Sequence, residues 1–277
     1  MNLEQELKAL ILLATAEDGA TDVTSQTLFD DDVLKEGVII AKQNGVLCGL
    51  KFLQQIAQAI DEELVVDPFL DEGDNVKERM MIASITGKAA SLLRAERILL
   101  NFLGRLSGIA TMTRQFVQCV DAHGGVILDT RKTVPGWRYL DKYAVKIGGG
   151  VNHRMNLEEV AIIKDTHVDG MGGISAAIVR FREKNKDTPL IVEVRDLKEL
   201  QEALGYAKSL NRIILDNFTL DLMTEAVELA SQKILLEASG GVTLENAEQI
   251  AETGVHFLSV GALTHSSKIF DWSFRLS

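Results

Sequence analysis

The sequence predicts an α/β protein whose second half is a barrel of repeated strand–helix units and whose first hundred residues read as α+β. Two observations carry this. From about residue 126 onward, short apolar runs alternate with amphipathic helical stretches, the pattern of βαβ units around a parallel sheet. The polar or glycine landmarks after these runs, Glu193, Asp216, Ser239 and Gly261, stand 23, 23 and 22 residues apart, room for a strand, two loops and a three-turn helix. Six or more such units with right-handed crossovers favour closure into a barrel, although an open doubly wound sheet would read similarly.

In chain order, a helix is expected over 3–16, a turn-rich stretch over 17–27, a strand over 38–41 and a helix over 50–60. The acidic cluster at 71–75 reads as a turn, and a long helical stretch over 89–104 leads into the barrel, with a boundary near 100–105. Barrel strands are expected at 126–128, 161–163, 190–194, 212–215, 234–236 and 257–260. Between them, 197–204 places leucines at i, i+3 and i+7 with charges on the opposite face.

Composition bounds the function. In 277 residues, 46% hydrophobic and 25% charged content with only 3 prolines describes a globular chain with a packed core and excludes disordered and collagen-like classes. A net charge of −11 repels phosphate backbones and anionic bilayers, so neither nucleic acid nor membrane is an expected partner. The apolar run at 9–14 is too short for a signal segment or a membrane span, and the acidic start argues against export. Cys48 and Cys119 form no CxxC or Cys/His ligand pattern, which suits buried thiols in a reducing cytoplasm.

The chemistry of a barrel sits at the carboxyl ends of its strands. Here those ends carry Asp129-Thr130-Arg131-Lys132, Lys164-Asp165, Glu193, Asp216-Asn217, Ser239-Gly240-Gly241 and Gly261-Ala262. Residues 129–164 hold seven Lys or Arg against four Asp or Glu, a basic island in an acidic chain. A solvated loop would explain it, but strand-end placement favours a pocket for a small polyanion. Lys164 follows three apolar residues, so it should meet an anion: Asp129, Glu193 or Asp216 in a salt bridge, a bound substrate, or a carbonyl as a Schiff base. Glu193 and Asp216 could hold sugar hydroxyls or share Mg²⁺ with substrate phosphates, or simply partner the cations. Ser239, Gly240 and Gly241, with Thr243 as a helix cap, and then Gly261 expose backbone N–H groups where barrels bind phosphate. The run at 148–150 lacks GxGxxG spacing. His153, beside Arg154, reads as a substrate-binding group ahead of a general base or a buried structural histidine.

These residues, together with Glu96-Arg97, Ser107-Gly108-Ile109-Ala110-Thr111, Thr133-Val134-Pro135-Gly136, Asn152-His153-Arg154, Glu237-Ala238-Ser239 and Leu263-Thr264-His265-Ser266, occur in an order that resembles the quinolinate phosphoribosyltransferases, also called nicotinate-nucleotide pyrophosphorylases (carboxylating). The resemblance spans nearly the whole chain. It implies an N-terminal α/β sandwich domain over 1–103, rejoined by 267–277, and an incomplete, seven-stranded α/β barrel of the type II phosphoribosyltransferase kind over 104–266.

It also implies phosphoribosyl transfer from phosphoribosyl pyrophosphate to quinolinate with Mg²⁺ as cofactor, giving nicotinate mononucleotide, pyrophosphate and CO₂ in NAD biosynthesis. Arg131, Lys132, His153, Arg154 and Lys164 would surround the quinolinate carboxylates and the pyrophosphate, with Thr130 beside them. Arg97 would come from the second subunit of a homodimer with shared sites, which could stack further into a hexamer. Glu193 and Asp216 would hold ribose and metal, and Ser239, Gly240, Gly241, Gly261 and His265 the 5′-phosphate. Thr166 and Trp137 depart from the residues common at those places, Asn and Leu. The competing readings are a molybdenum-transport-associated paralogue, a Schiff-base aldolase using Lys164, and a catalytically silent phosphate-binding barrel.

Overall fold

Two large sheets organise the chain in the computed structural model, which describes residues 1–30 and 32–277. Each belongs to one of two compact units. The first comprises Met1–Arg114, Thr133–Gly149 and Leu263–Ser277, the second Gln115–Lys132 and Gly150–Ala262. The boundary expected at 103/104 falls inside a single helix, Ala89–Val120. Glycine is a weak helix former, and the stretch expected over 89–104 ends on one, yet the helix runs on to Val120. Gly104 and Gly108 have another use: a Cβ on either would strike the segment 268–270, and at Gly108 the obstacle is the Lys268 carbonyl.

The first unit begins with the helix Leu3–Asp18, opened by a capping box in which Asn2 and Gln5 exchange side-chain-to-backbone hydrogen bonds. Its strands are β1 (Leu34–Ala41), β2 (Gly45–Val46), β3 (Val65–Pro68), β4 (Asn75–Val76) and β5 (Met81–Lys88). β1 alternates buried and half-buried residues from Gly37 on, the signature of a strand with one covered face. The last strand of the chain, β12 (Trp272–Leu276), pairs antiparallel with β1, so the sheet order is β12-β1-β5-β3. The expected helix over 50–60 is a 3₁₀ turn, Leu50–Phe52, followed by Leu53–Gln58.

Within this unit the Ser-Gly-Ile-Ala-Thr run is structural. Ser107 Oγ accepts from Cys48 N–H at 3.0 Å and donates to its carbonyl at 3.1 Å, and Thr111 Oγ1 accepts from Val46 N–H at 2.9 Å. The helix Arg138–Ile147 is held from two sides: buried Glu6 accepts from Leu140 N–H at 2.8 Å, and Asp141 takes a bidentate pair from Arg105 at 2.8 and 2.7 Å. Trp137 lies 5.0 Å from the Phe102 ring and under the Arg105 guanidinium, so the departure at this position fills an aromatic contact.

The second unit contains six parallel strands, β6 (Val126–Leu128), β7 (Ala161–Ile163), β8 (Leu190–Val194), β9 (Arg212–Asp216), β10 (Leu235–Ser239) and β11 (Phe257–Ser259). In their order, β6-β11-β10-β9-β8-β7, strands β7 to β11 step through the sequence in one direction and β6, the first, pairs with β11, the last. A doubly wound sheet would reverse direction at a switch point, so this is the singly wound order of a barrel. A single parallel bridge between Leu128 and Val151 supplies a seventh position beside β6. The count of seven therefore corresponds to six strands and one bridge, because the chain leaves the ladder after one residue at Val151.

Two local expectations change. The strand expected over 234–236 runs Leu235–Ser239 and carries Glu237 at its centre. Thr243 does not cap a helix: the next helix, Ala247–Glu252, starts four residues later behind Asn246.

Candidate active site

Polar residues at the strand ends of the second unit line one cavity of about 580 Å³. It is lined by Thr130, Arg131 and Lys132 after β6, His153 and Arg154 after the Val151 bridge, Lys164 after β7, Glu193 on β8, Asp216 and Asn217 at the end of β9, and Ser239, Gly240 and Gly241 after β10. Ile162, Ile214, Glu237 and Ser259 complete the wall. Four cations that are 33 residues apart at their extremes in sequence are thus brought to one place by strand order alone.

Asp129 builds the cationic side. Fully buried at the end of β6, it accepts from Asn152 Nδ2 at 2.6 Å and from His153 N–H at 2.9 Å, tying the loop that carries His153 and Arg154 to the strand. Lys132 N–H donates to Thr130 Oγ1 at 3.0 Å, which turns the loop after β6 over the cavity. Arg154 is buried and donates to the Val160 carbonyl at 2.7 Å. Burial, and then the charge of nearby Arg131, lower its pKa, the expected behaviour of like charges gathered in one place.

One of the anionic partners expected for Lys164 is present: its Nζ lies 3.0 Å from Oε2 of Glu193. Its side chain is 47% exposed, so it is not the deeply buried ammonium the apolar run suggested. It opens the helix Asp165–Met171 and its N–H donates to His167 Nδ1 at 3.0 Å. Thr166 sits in the first turn of that helix, exposed and outside the cavity wall.

On the opposite side, Asn217 adopts a left-handed backbone, φ 55°, and its N–H donates to the Ser239 carbonyl at 2.8 Å. Gly240 has φ 93°, and a Cβ there would overlap Asn217 Oδ1, so this position needs glycine on two grounds. Glu193 and Asp216 stand on adjacent strands and supply hard oxygen donors. Two carboxylates with open space beside them suit Mg²⁺, which keeps waters and phosphate oxygens for its remaining positions.

Three of the sequence-derived site residues lie elsewhere. Gly261 is in the second unit but does not line the cavity. Arg97 and His265 belong to the first unit, where Arg97 is exposed near Glu96 and His265 Nδ1 lies 2.6 Å from Ser266 Oγ.

Sequence reading gave no role to Glu237 and Ser259. Glu237 is 1% exposed, 2.9 Å from Arg212 Nε and 3.6 Å from His153 Nε2, and accepts from Ser259 Oγ. Burial pushes its pKa up, but the His153 contact and the Arg212 charge outweigh this and leave it below the usual carboxylate value. A carboxylate inside the apolar run Leu235-Leu236-Glu237-Ala238 was the available signal.

Comparison with known proteins agrees over both units. A family model described as the quinolinate phosphoribosyl transferase C-terminal domain matches residues 109–275, and one for the N-terminal domain matches residues 22–107. The chain is 40% identical to quinolinate phosphoribosyltransferase (decarboxylating) 1b of Nicotiana tabacum over 98% of its own length and 82% of that protein. It is 41% identical to the chloroplastic nicotinate-nucleotide pyrophosphorylase (carboxylating) of Arabidopsis thaliana, covering 98% and 83%. Among solved structures, the nicotinate-nucleotide pyrophosphorylase of Francisella tularensis superposes with a TM-score of 0.93 at 34% identity, covering 99% of this chain and 96% of that one.

Proposed function

The chain belongs to the quinolinate phosphoribosyltransferase family and catalyses decarboxylating phosphoribosyl transfer in NAD biosynthesis, and we propose that the cavity at the strand ends is where it does so. The observation that carries this assignment is the convergence of Arg131, Lys132, Arg154 and Lys164 on one cavity opposite Glu193 and Asp216. A dianionic pyridine and a pyrophosphate-bearing sugar need that pairing of charges.

In this reading Arg131, Lys132, His153 and Arg154, with Thr130, hold the two carboxylates of quinolinate, and Lys164 faces the reacting groups. Glu193 and Asp216 hold the ribose hydroxyls and Mg²⁺, which when bound neutralises the departing pyrophosphate. Ser239, Gly240 and Gly241 offer backbone N–H groups and a hydroxyl to the 5′-phosphate. Gly261, His265 and Arg97 take their places by family resemblance, Arg97 from the second subunit of a homodimer.

The pyridine nitrogen attacks the anomeric carbon as the bond to pyrophosphate breaks, and the cations orient both anions along that line. The alkylated ring is positively charged, so it accepts the electron pair left when the 2-carboxylate departs as CO₂. C2 then takes a proton.

A cytoplasmic location is part of the same proposal, supported by two free thiols, Cys48 and Cys119. No helix among the described residues is long and apolar enough to cross a membrane.

The deciding assay supplies quinolinate or nicotinate with phosphoribosyl pyrophosphate and Mg²⁺. Nicotinate mononucleotide and CO₂ are expected from quinolinate only. Equal turnover of nicotinate, or binding without CO₂ release, would overturn the assignment.

A further inference from the structure

At the floor of the cavity both nitrogens of His153 are engaged by the protein. The backbone N–H of Arg154 donates to Nδ1 at 2.7 Å. A donor aimed at Nδ1 requires a lone pair there, so the proton of the neutral ring sits on Nε2. Nε2 lies 3.6 Å from Oε1 of Glu237, a favourable electrostatic contact rather than a full hydrogen bond.

Glu237 is itself clamped. Arg212 Nε lies 2.9 Å from Oε2, Ser259 donates to Oε1, and the Arg212 guanidinium is held over the Phe257 ring at 4.5 Å. A buried ion pair kept only for packing would be matched or bettered by apolar residues of the same volume. Here one oxygen is neutralised by Arg212 while the other is turned toward the ring of a cavity residue.

We propose that Glu237 is a positioning residue: it holds His153 as the neutral Nε2–H tautomer and, through the hydrogen bond from Arg154 N–H to Nδ1, fixes the backbone that carries Arg154 into the cavity. His153 then acts as a fixed bracket and not as a proton carrier. The inference rests on the cavity being the quinolinate site.

The test is ¹⁵N NMR of histidine-labelled protein, with the His153 signals identified by their loss in His153→Asn. In the wild type at pH 7, Nδ1 is expected to be unprotonated and Nε2 protonated, with and without quinolinate. An Nδ1–H tautomer, or conversion to imidazolium when quinolinate is added, would overturn the proposal whether or not Glu237→Gln folds. In Glu237→Gln the negative charge beside Nε2 is lost, and an NH₂ placed on that side cannot accept from Nε2–H. The tautomer should then invert or mix, and KM for quinolinate should rise on the order of 10–100-fold with KM for phosphoribosyl pyrophosphate little changed. An unchanged tautomer and unchanged KM in a folded Glu237→Gln protein would also count against it. The expected wild-type spectrum combined with no CO₂ release would sink the substrate assignment alone, leaving the tautomer assignment standing.

Discussion

The ammonium of Lys164 lies 3.0 Å from Oε2 of Glu193, so one cation and one carboxylate of the cavity neutralise each other in the free protein. Lys164→Ala removes the cation from a pair that is half-exposed on the lysine side, a pairing worth at most about 1 kcal/mol of stability. The melting temperature should therefore move by no more than a few degrees. Turnover should fall about 10²–10³-fold, the usual loss when one electrostatic donor leaves a reacting centre. Lys132→Ala should behave alike. Wild-type steady-state rates in both variants would remove the cavity from the reaction.

The proposed sharing of the active site between subunits makes a different demand. Arg97→Ala and Lys164→Ala should each be inactive alone and regain activity when mixed, since a heterodimer then carries one intact site. Subunit exchange is followed by mass spectrometry. Confirmed exchange without recovery would mean that each chain builds its own site.

Gly240→Ala should damage both fold and phosphate binding. The residue has φ 93°, and the new Cβ would overlap Asn217 Oδ1. Strain of this kind costs about 1–3 kcal/mol, readable by urea denaturation. KM for phosphoribosyl pyrophosphate should rise more than KM for quinolinate.

Two helix glycines should respond with opposite sign. In Gly108→Ala the added methyl would strike the Lys268 carbonyl, a backbone obstacle that cannot rotate away, and overpacking costs about 1–3 kcal/mol. Gly170, in the helix Asp165–Met171, has open space where a Cβ would stand, so Gly170→Ala should stabilise by about 0.5–1 kcal/mol. Denaturation midpoints of the two variants check the pair. Equal shifts would refute it.

Glu6 links stability to pH. Burial raises its pKa from 4.5, outweighing the hydrogen bonds it accepts at the start of the helix Arg138–Ile147. A carboxyl raised on folding contributes stability that is fully present below the unfolded value and is lost as pH rises through the folded one. Glu6→Gln keeps an acceptor for Leu140 N–H and escapes that loss. Its stability relative to wild type should climb as pH rises above the ordinary carboxylate value of 4.5 in denaturant titrations. A pH-independent difference would show that Glu6 carries no linkage.

The barrel was legible because its strands are buried on both faces and read as apolar runs, and each run ends in the polar residue that lines the cavity. What escaped had specific causes. Glu237 broke the pattern of β10 because its charge is balanced by Arg212, from the neighbouring strand β9, and it accepts a hydrogen bond from Ser259, on β11, relations invisible in linear order. The helix Ala89–Val120 ran past its apparent end because its glycines serve close packing rather than termination. Thr243 had the right chemistry for a cap, but the chain makes a further turn before the helix begins at Ala247. The roles of Arg97 and His265 lay in family resemblance, since neither lines the cavity.

The pairing of β12 with β1, which sets Leu276 opposite Gly37, joins residues 239 apart in the sequence. As the ribosome delivers the chain from its amino end, one side of β1 stays without its neighbour until residues 272–276 emerge. An uncovered strand edge is a template for association with other nascent chains. A premature stop codon that deletes only β12 would leave every cavity-lining residue in place, and should surface first as aggregation during biosynthesis rather than as weakened chemistry.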